Sequence, residues 1–194
     1  MLYLTVKAIL SENIKSFGLK STDTPSTPVE YPFKVKCTSC NEINESLITI
    51  NNYEKHEVNN GKGEVSFIFK CKFCGNPASI IMNNENTELL FNDCDENQDL
   101  IESQLKKRGK KIKGIKNKAT LKDTSIAIFL QFDCRGCEII QFIDDNVEFG
   151  VTLFSNNSEE IPCILDEGEW YDYDEKSEQE ISITEVEWNI ISGK

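Results

Sequence analysis

Histidine is almost missing from this chain of 194 residues: His56 stands alone, in a polar setting that reads as surface. Its scarcity excludes Cys2His2 fingers and His-rich metal sites, and it removes the usual base for a nucleophilic Ser or Cys. The signatures of common enzymes are missing too, with no Gly-x-Ser-x-Gly, no Gly-rich phosphate loop and no His-Glu-x-x-His. Long apolar runs are absent. The longest uncharged one, Ile126–Leu130, falls far short of the ~20 residues a membrane helix needs. No membrane span is expected. Met1-Leu2-Tyr3-Leu4-Thr5-Val6-Lys7 carries neither a basic leader nor a small-residue cleavage site, so no secretory signal is expected and the cytoplasm is the expected compartment.

Positive charge is in deficit. Against 33 acids stand 21 Lys and Arg, a net charge of −12. Phosphates would be repelled by such a surface, which argues against nucleic acid as a partner. The deficit is uneven: Lys106, Lys107, Arg108, Lys110, Lys111, Lys113, Lys116 and Lys118 crowd into 13 residues. From Glu159 to Glu187 there are 12 acids and one base, Lys176. An acidic body therefore carries one basic segment. That segment lacks aromatics for base stacking and reads as a solvated face.

What is present is a series of short alternating segments. Leu2, Leu4, Val6, Ala8 and Leu10 fall on one side of a strand. Further strands are expected at Phe33–Cys37, Leu47–Ile50, Val65–Cys71, Ser79–Met82, Ser125–Phe132, Ile139–Ile143 and Glu148–Phe154. The alternation of Ile181–Ile190 slips once near Glu185, which predicts a bulge. Residues 19–32 form a Pro-rich loop, and Gly61-Lys-Gly63 marks a turn. Residues 93–122 carry few large apolar side chains and read as a charged, mobile insert, with at most a turn or two of helix over Ile101–Lys107. No long amphipathic helix is evident. The expected fold is all-β, a single domain over 1–194 of short antiparallel strands, sandwich or barrel-like. A chain this long removes roughly 70% of its unfolded surface from water and needs no staples to fold.

Cysteine is modest, 8 residues or about 4% of the chain, below the density of a disulfide scaffold. Six of the eight fall into Cys-x-x-Cys pairs: Cys37/Cys40, Cys71/Cys74 and Cys134/Cys137. In a reducing compartment such pairs are metal ligands or redox groups before they are disulfides. One pair offers two thiolates on a knuckle, half of a tetrahedral zinc site, and two pairs complete it. The residue after the second Cys must reach an open or left-handed backbone, which Gly and Asn tolerate best. Asn41 follows Cys40 and Gly75 follows Cys74, whereas Glu138 follows Cys137 and fits poorly. Cys37, Cys40, Cys71 and Cys74 are accordingly the expected ligands of one Zn2+. The competing readings are ordinary reduced thiols, or a redox dithiol, which the lack of a following helix disfavours. Cys134 is expected to pack as a small buried residue at a strand end, and Cys94 and Cys163 to be free thiols.

With the knuckles placed, the chain resembles the eukaryotic CXXC-motif-containing zinc-binding protein family from end to end. Lys7-Ala8-x-Leu10-x-Glu12-Asn13-Ile14 resembles its opening strand, and Cys37-x-x-Cys40-x-Glu42 its first knuckle. Gly61-x-Gly63 with Lys70-Cys71-Lys72-x-Cys74 and Ser79-Ile80 resembles its second. Phe132-x-Cys134-Arg135-Gly136-x-Glu138 with Phe142, and Asp172-Tyr173-Asp174-Glu175-Lys176 with Glu185-Val186, resemble its second half. The resemblance implies a single-domain β protein that binds one zinc through the two N-terminal pairs and has no known catalytic activity. Two departures stand out: the basic insert is long, and Cys137 and Ile139 occupy positions where the family more usually shows Leu and Pro.

The expected function is that of a zinc-binding, non-catalytic monomer with a protein-interaction or regulatory role and an unidentified protein partner. Alternatives of other classes are a thiol-based metal-handling protein that exchanges metal with a partner chaperone, and a thiol oxidoreductase. The acidic stretch Trp170–Glu180, with a Trp and two Tyr among carboxylates, is the expected contact surface.

Overall fold

Leu4 and Val6 are buried, as their alternation requires, and strands of similar make dominate the chain. The computed structural model describes residues 1–58, 63–112 and 118–193. Most of the expected Gly61–Gly63 turn, and Lys113 and Lys116 of the basic run, lie outside the described residues. The early strands are β1 (Leu2–Leu10), β2 (Ile14–Leu19), β3 (Tyr31–Cys37), β4 (Ile48–Ile50), β5 (His56–Glu57), β6 (Glu64–Val65), β7 (Phe67–Lys70), β8 (Pro77–Asn83) and β9 (Leu90–Phe91). After two helices, α1 (Gln98–Lys111) and α2 (Lys118–Lys122), come β10 (Ala127–Arg135), β11 (Cys137–Phe142), β12 (Glu148–Leu153), β13 (Glu160–Ile164), β14 (Trp170–Asp174) and β15 (Gln179–Ser192).

The strand pairings are antiparallel. The largest sheet has six strands in the order β14-β15-β1-β10-β8-β7. A four-stranded sheet (β13-β12-β2-β9) and a three-stranded one (β11-β3-β4) pack against it. Their inner faces meet in an aromatic core. Phe17 lies 5.7 Å from Phe129 and 5.3 Å from Phe149, joining the first two sheets. Phe33 stands edge-on to Phe132 at 5.1 Å, joining the third. Trp188 of β15 touches Phe142 at 4.8 Å and Phe149 at 5.4 Å, and its indole N–H donates to Asp144. The polar end of the ring is thus satisfied while the apolar body is sequestered.

The expected slip in the last strand is a bulge. Lys7 pairs with Glu187 but Ile9 pairs with Thr184, and Glu185 takes a φ of 51° at the irregularity. Five strands went unread in the sequence: β2, the two-residue β5 and β9, β13 and β14. β13 is interrupted by Pro162, β14 carries two Asp in five residues, and both are edge strands that need no continuous apolar face.

Within 93–122 the described residues hold more helix than the turn or two expected over Ile101–Lys107. Residues 98–111 form a helix of 14 residues, and its face is buried through Ile101 and Arg108. Ile112 and Leu121 pack with Tyr3, Ile128 and Ile191 in a second apolar cluster, on the outer face of the β1–β10 pair. The Arg108 guanidinium, 2% exposed, forms an ion pair with Glu88 at 2.7 Å and also donates to the carbonyls of Thr120, Asp123 and Ile126. Glu88 in turn accepts the amide of Ile128 at 2.9 Å. Every strong group in this buried pair is engaged, which is the condition for tolerating buried charge. α1 and α2, with Ile112, form a helical layer covering this face of the sheet.

Candidate metal centre

Each knuckle is a tight turn that begins as its strand ends. β3 ends at Cys37, where the amide of Cys37 donates to the Glu42 carbonyl and the amide of Asn41 to the Cys37 carbonyl, both at 2.9 Å. The second turn repeats this plan after β7. The amide of Cys71 donates to the Asn76 carbonyl and that of Gly75 to the Cys71 carbonyl, again at 2.9 Å. Asn41 and Gly75 occupy the same left-handed position, with φ of 63° and 73°. The expectation for these two residues holds, and for the stated reason: a left-handed step reverses the chain behind the second thiol.

The two turns bring four sulfurs together. Cys37 Sγ lies 3.7 Å from Cys74 Sγ, and Cys40 Sγ lies 3.7 Å from Cys71 Sγ. All four lie within 4.8 Å of one another. Disulfide sulfurs are bonded at about 2.05 Å, so these are four separate thiols. Sulfurs at the corners of a tetrahedron with Zn–S bonds of about 2.3 Å would be ~3.8 Å apart, which the observed spacing fits. Among the described residues no other group of three or more Cys, His, Asp or Glu offers ligand atoms so close together.

The electrostatics prepare negative charge at the first thiol of each pair. The amides of Cys40 and Ser39 point at Cys37 and lower its pKa to about 6. Those of Cys74 and Phe73 lower the pKa of Cys71. The Glu42 amide favours a thiolate at Cys40, but burial and the thiols of Cys37, Cys71 and Cys74 outweigh it and push Cys40 up to about 12. Four thiols crowded together cannot all ionise alone, and a divalent cation resolves the conflict.

The third pair is built differently. β10 ends at Arg135 and β11 starts at Cys137, so Cys134-Arg-Gly-Cys137 is a corner between strands, with the positive φ (73°) at Gly136 inside the pair. It is Cys137 that is fully buried, whereas Cys134 is half-buried, which corrects the expectation for Cys134. Cys94 and Cys163 are free thiols, Cys163 pushed up to about 12 by burial. His56 lies in β5 with the Glu54 carboxylate at 3.7 Å, apart from the four thiols. In the acidic stretch, Tyr171 and Tyr173 are 65% and 53% exposed along β14. Asp174 is buried instead, accepting from the hydroxyls of Ser155 and Ser177 and the amide of Lys176. Those partners, Ser155 first, hold its carboxyl below the usual range.

A UPF0587 protein of Saccharomyces cerevisiae is 35% identical over 100% of this chain and 99% of its own length. The CXXC motif containing zinc binding protein of Mus musculus is 28% identical, covering 79% of this chain and 78% of its own. The crystal structure of C1orf123 superposes with a TM-score of 0.68 at 22% identity, covering 98% of both chains, and so shares the fold. A hypothetical protein from Plasmodium falciparum gives a TM-score of 0.65 at 18% identity, also over 98% of both chains. The family model described as CXXC motif containing zinc binding protein, eukaryotic, matches residues 3–191, and the chain belongs to that family.

Proposed function

We propose that Cys37, Cys40, Cys71 and Cys74 hold one Zn2+ per chain as a structural rivet, and that the protein works by binding a protein partner and not by catalysis. The observation that carries the reading is the packing of four thiols, two from each knuckle, at tetrahedral spacing. A closed shell of four thiolates leaves no position for a water or a substrate, so such a metal fixes geometry and does not act as a Lewis acid. The ion would tie the three-stranded sheet, through β3, to the six-stranded sheet, through β7.

Partner binding is assigned to the β14 edge. Tyr171 and Tyr173 are exposed there with Asp172 between them, and the strand ends the six-stranded sheet. Exposed tyrosines supply contact area at low conformational cost.

Elemental analysis of the purified chain tests the metal assignment. One zinc per chain is expected for wild type and Cys134→Ser, and loss of zinc with a lower melting temperature for Cys37→Ser or Cys74→Ser. If Cys134→Ser loses the metal while Cys37→Ser keeps it, the ligand set is wrong. Charge reversal at Asp172 and Glu175, sparing the buried Asp174, should weaken partner capture at unchanged zinc content. Unchanged capture retires that surface.

A further inference from the structure

The outer face of the six-stranded sheet is covered at one end and bare at the other. Along β1 the helical layer seals Tyr3, whereas Ile9, on the same side of the strand, is 53% exposed. The ladder carries that bare face to the β14 edge. Ile9 pairs with Thr184, and Ser182, two residues from Thr184, pairs with Tyr171. Ile9, Tyr171 and Tyr173 therefore stand on one side of the sheet, opposite the buried Ile181 and Ile183.

The edge is also open in its backbone. Among the described residues only β15 pairs with β14. The Tyr173 amide donates to the Asp172 carboxylate at 2.8 Å, which turns it away from β15. Backbone groups two residues apart share a side of a strand, so those of Tyr171 face outward as well. The Tyr171 hydroxyl donates to Glu169 at 2.9 Å, which anchors that ring at the edge.

Charge decides what can pair there. Glu169, Asp172, Glu175, Glu178 and Glu180 are exposed around the two tyrosines. Among the described residues none of these five forms an ion pair. A second copy of the chain would set like charges against each other across the new ladder, which disfavours self-pairing through this edge. A cationic strand meets the opposite. It finds carboxylates within reach of each head group, and two aromatic faces at its own two-residue repeat of about 7 Å.

Resting on the assignment of partner binding to this edge, we propose that the partner is an extended basic segment, with Arg or Lys at alternate positions, that adds to β14 as a seventh strand. Main-chain pairing with the outward groups of Tyr171 and Tyr173 supplies the docking, and cations over the two rings supply the choice of partner. Asp172 guards the edge. Its carboxylate occupies the Tyr173 amide and is drawn off by a cation, which a neutral strand does not provide.

A fluorescein-labelled octapeptide alternating Arg with Thr is titrated into the zinc-loaded full chain, and anisotropy is read. Its companions are a peptide with the four Arg contiguous, one with Glu for Arg, one N-methylated at the Arg amides and one N-methylated at the Thr amides. The alternating peptide should bind more tightly than the contiguous one, and the Glu peptide should not bind. Only one set of alternate amides faces β14, so one methylated peptide should bind like the parent and the other should not. Tyr171→Ala with Tyr173→Ala should weaken binding about tenfold, the sum of two exposed cation–π contacts, and Phe at both positions should restore it. The proposal is overturned if the alternating peptide does not bind, if the contiguous peptide binds as tightly, if the methylated peptides behave alike, or if the alanine pair binds as wild type does. The peptide comparisons use the wild-type chain and decide even where the alanine pair does not fold. The wider reading is judged separately by charge reversal at Asp172 and Glu175. If that variant loses partner capture while the alternating peptide fails to bind, the edge remains a partner site and strand addition falls; if capture is also unchanged, both fall.

Discussion

Replacing Arg108 by alanine tests what holds the helical layer on the sheet. The guanidinium donates twice to Glu88 through Nε, at 2.8 and 3.1 Å, and once more through Nη2 at 2.7 Å. It also donates to the carbonyls of Asp123 and Ile126 at 2.8 Å. Alanine removes all of these together. It strands a Glu88 carboxylate whose side chain is 7% exposed, leaving it the Ile128 amide as partner. Breaking a buried pair from one side costs about 3–5 kcal/mol, because the remaining charge keeps its desolvation penalty. The groove between α1 and residues 85–91, about 380 Å3, is lined by both Glu88 and Arg108 and gives water a route to the stranded carboxylate. The loss should therefore fall near the lower end, about 3 kcal/mol. Against a total stability of about 5–15 kcal/mol this is a large fraction.

The companion variant Arg108→Met with Glu88→Gln removes both charges and keeps an acceptor for the Ile128 amide. It should cost less than Arg108→Ala, about 1–2 kcal/mol, since no charge is left unpaired. Urea titration at fixed zinc, followed by far-UV circular dichroism, measures both. Hydrogen exchange of the Ile101–Arg108 amides locates the change. An Arg108→Ala protein within ~0.5 kcal/mol of wild type, the scatter of ordinary surface changes, would refute the reasoning. Equal losses in the single and double variants would place the cost in helix packing and not in the stranded charge.

Two further outcomes follow from single residues. Asp174 has a folded pKa below its unfolded one, so its contribution is present above the usual carboxylate range and is lost as pH falls through the folded value. Asp174→Asn should melt below wild type at pH 7, and the gap should close as pH falls below the usual carboxylate range; a pH-independent gap would mean that the carboxylate charge is irrelevant. Gly136→Ala and Gly75→Ala both force alanine to a φ of +73°. At Gly75 nothing lies within 4 Å of the new Cβ, and the cost is conformational, about 1–2 kcal/mol. At Gly136 the Pro77 oxygen, 2.4 Å away, adds a backbone clash, so its melting temperature should fall further. Equal shifts in the two melting curves would show that the corner is not clamped.

What was legible in the sequence was local. The knuckles depend on residues adjacent in the chain, and Asn41 and Gly75 announced the left-handed steps that turn the thiols inward. The slip near Glu185 was likewise a break in a two-residue period. The helical layer was illegible because its anchors are sparse and one of them is charged. Over Gln98–Lys111 the buried residues are Ile101 and Arg108, seven apart on one face, and the partner of Arg108 is Glu88, 20 residues away. Leu100, Ile101 and Leu105 among so many charged and polar residues read as a solvated segment, because sequence periodicity counts hydrophobes and not ion pairs. The compensating signal lay in the strands. Ile126–Leu130 is continuously apolar, and in β10 Ala127, Ile128, Phe129 and Leu130 are all buried, on both faces of the sheet. Phe129 faces the aromatic core, while Ile128 faces Tyr3 and Ile112. A strand with one wet face alternates; a strand covered on both faces does not. The run at 126–130 therefore already required a cover on the outer face of the sheet. The helical layer, folded back beside β10 and locked by Arg108, is that cover.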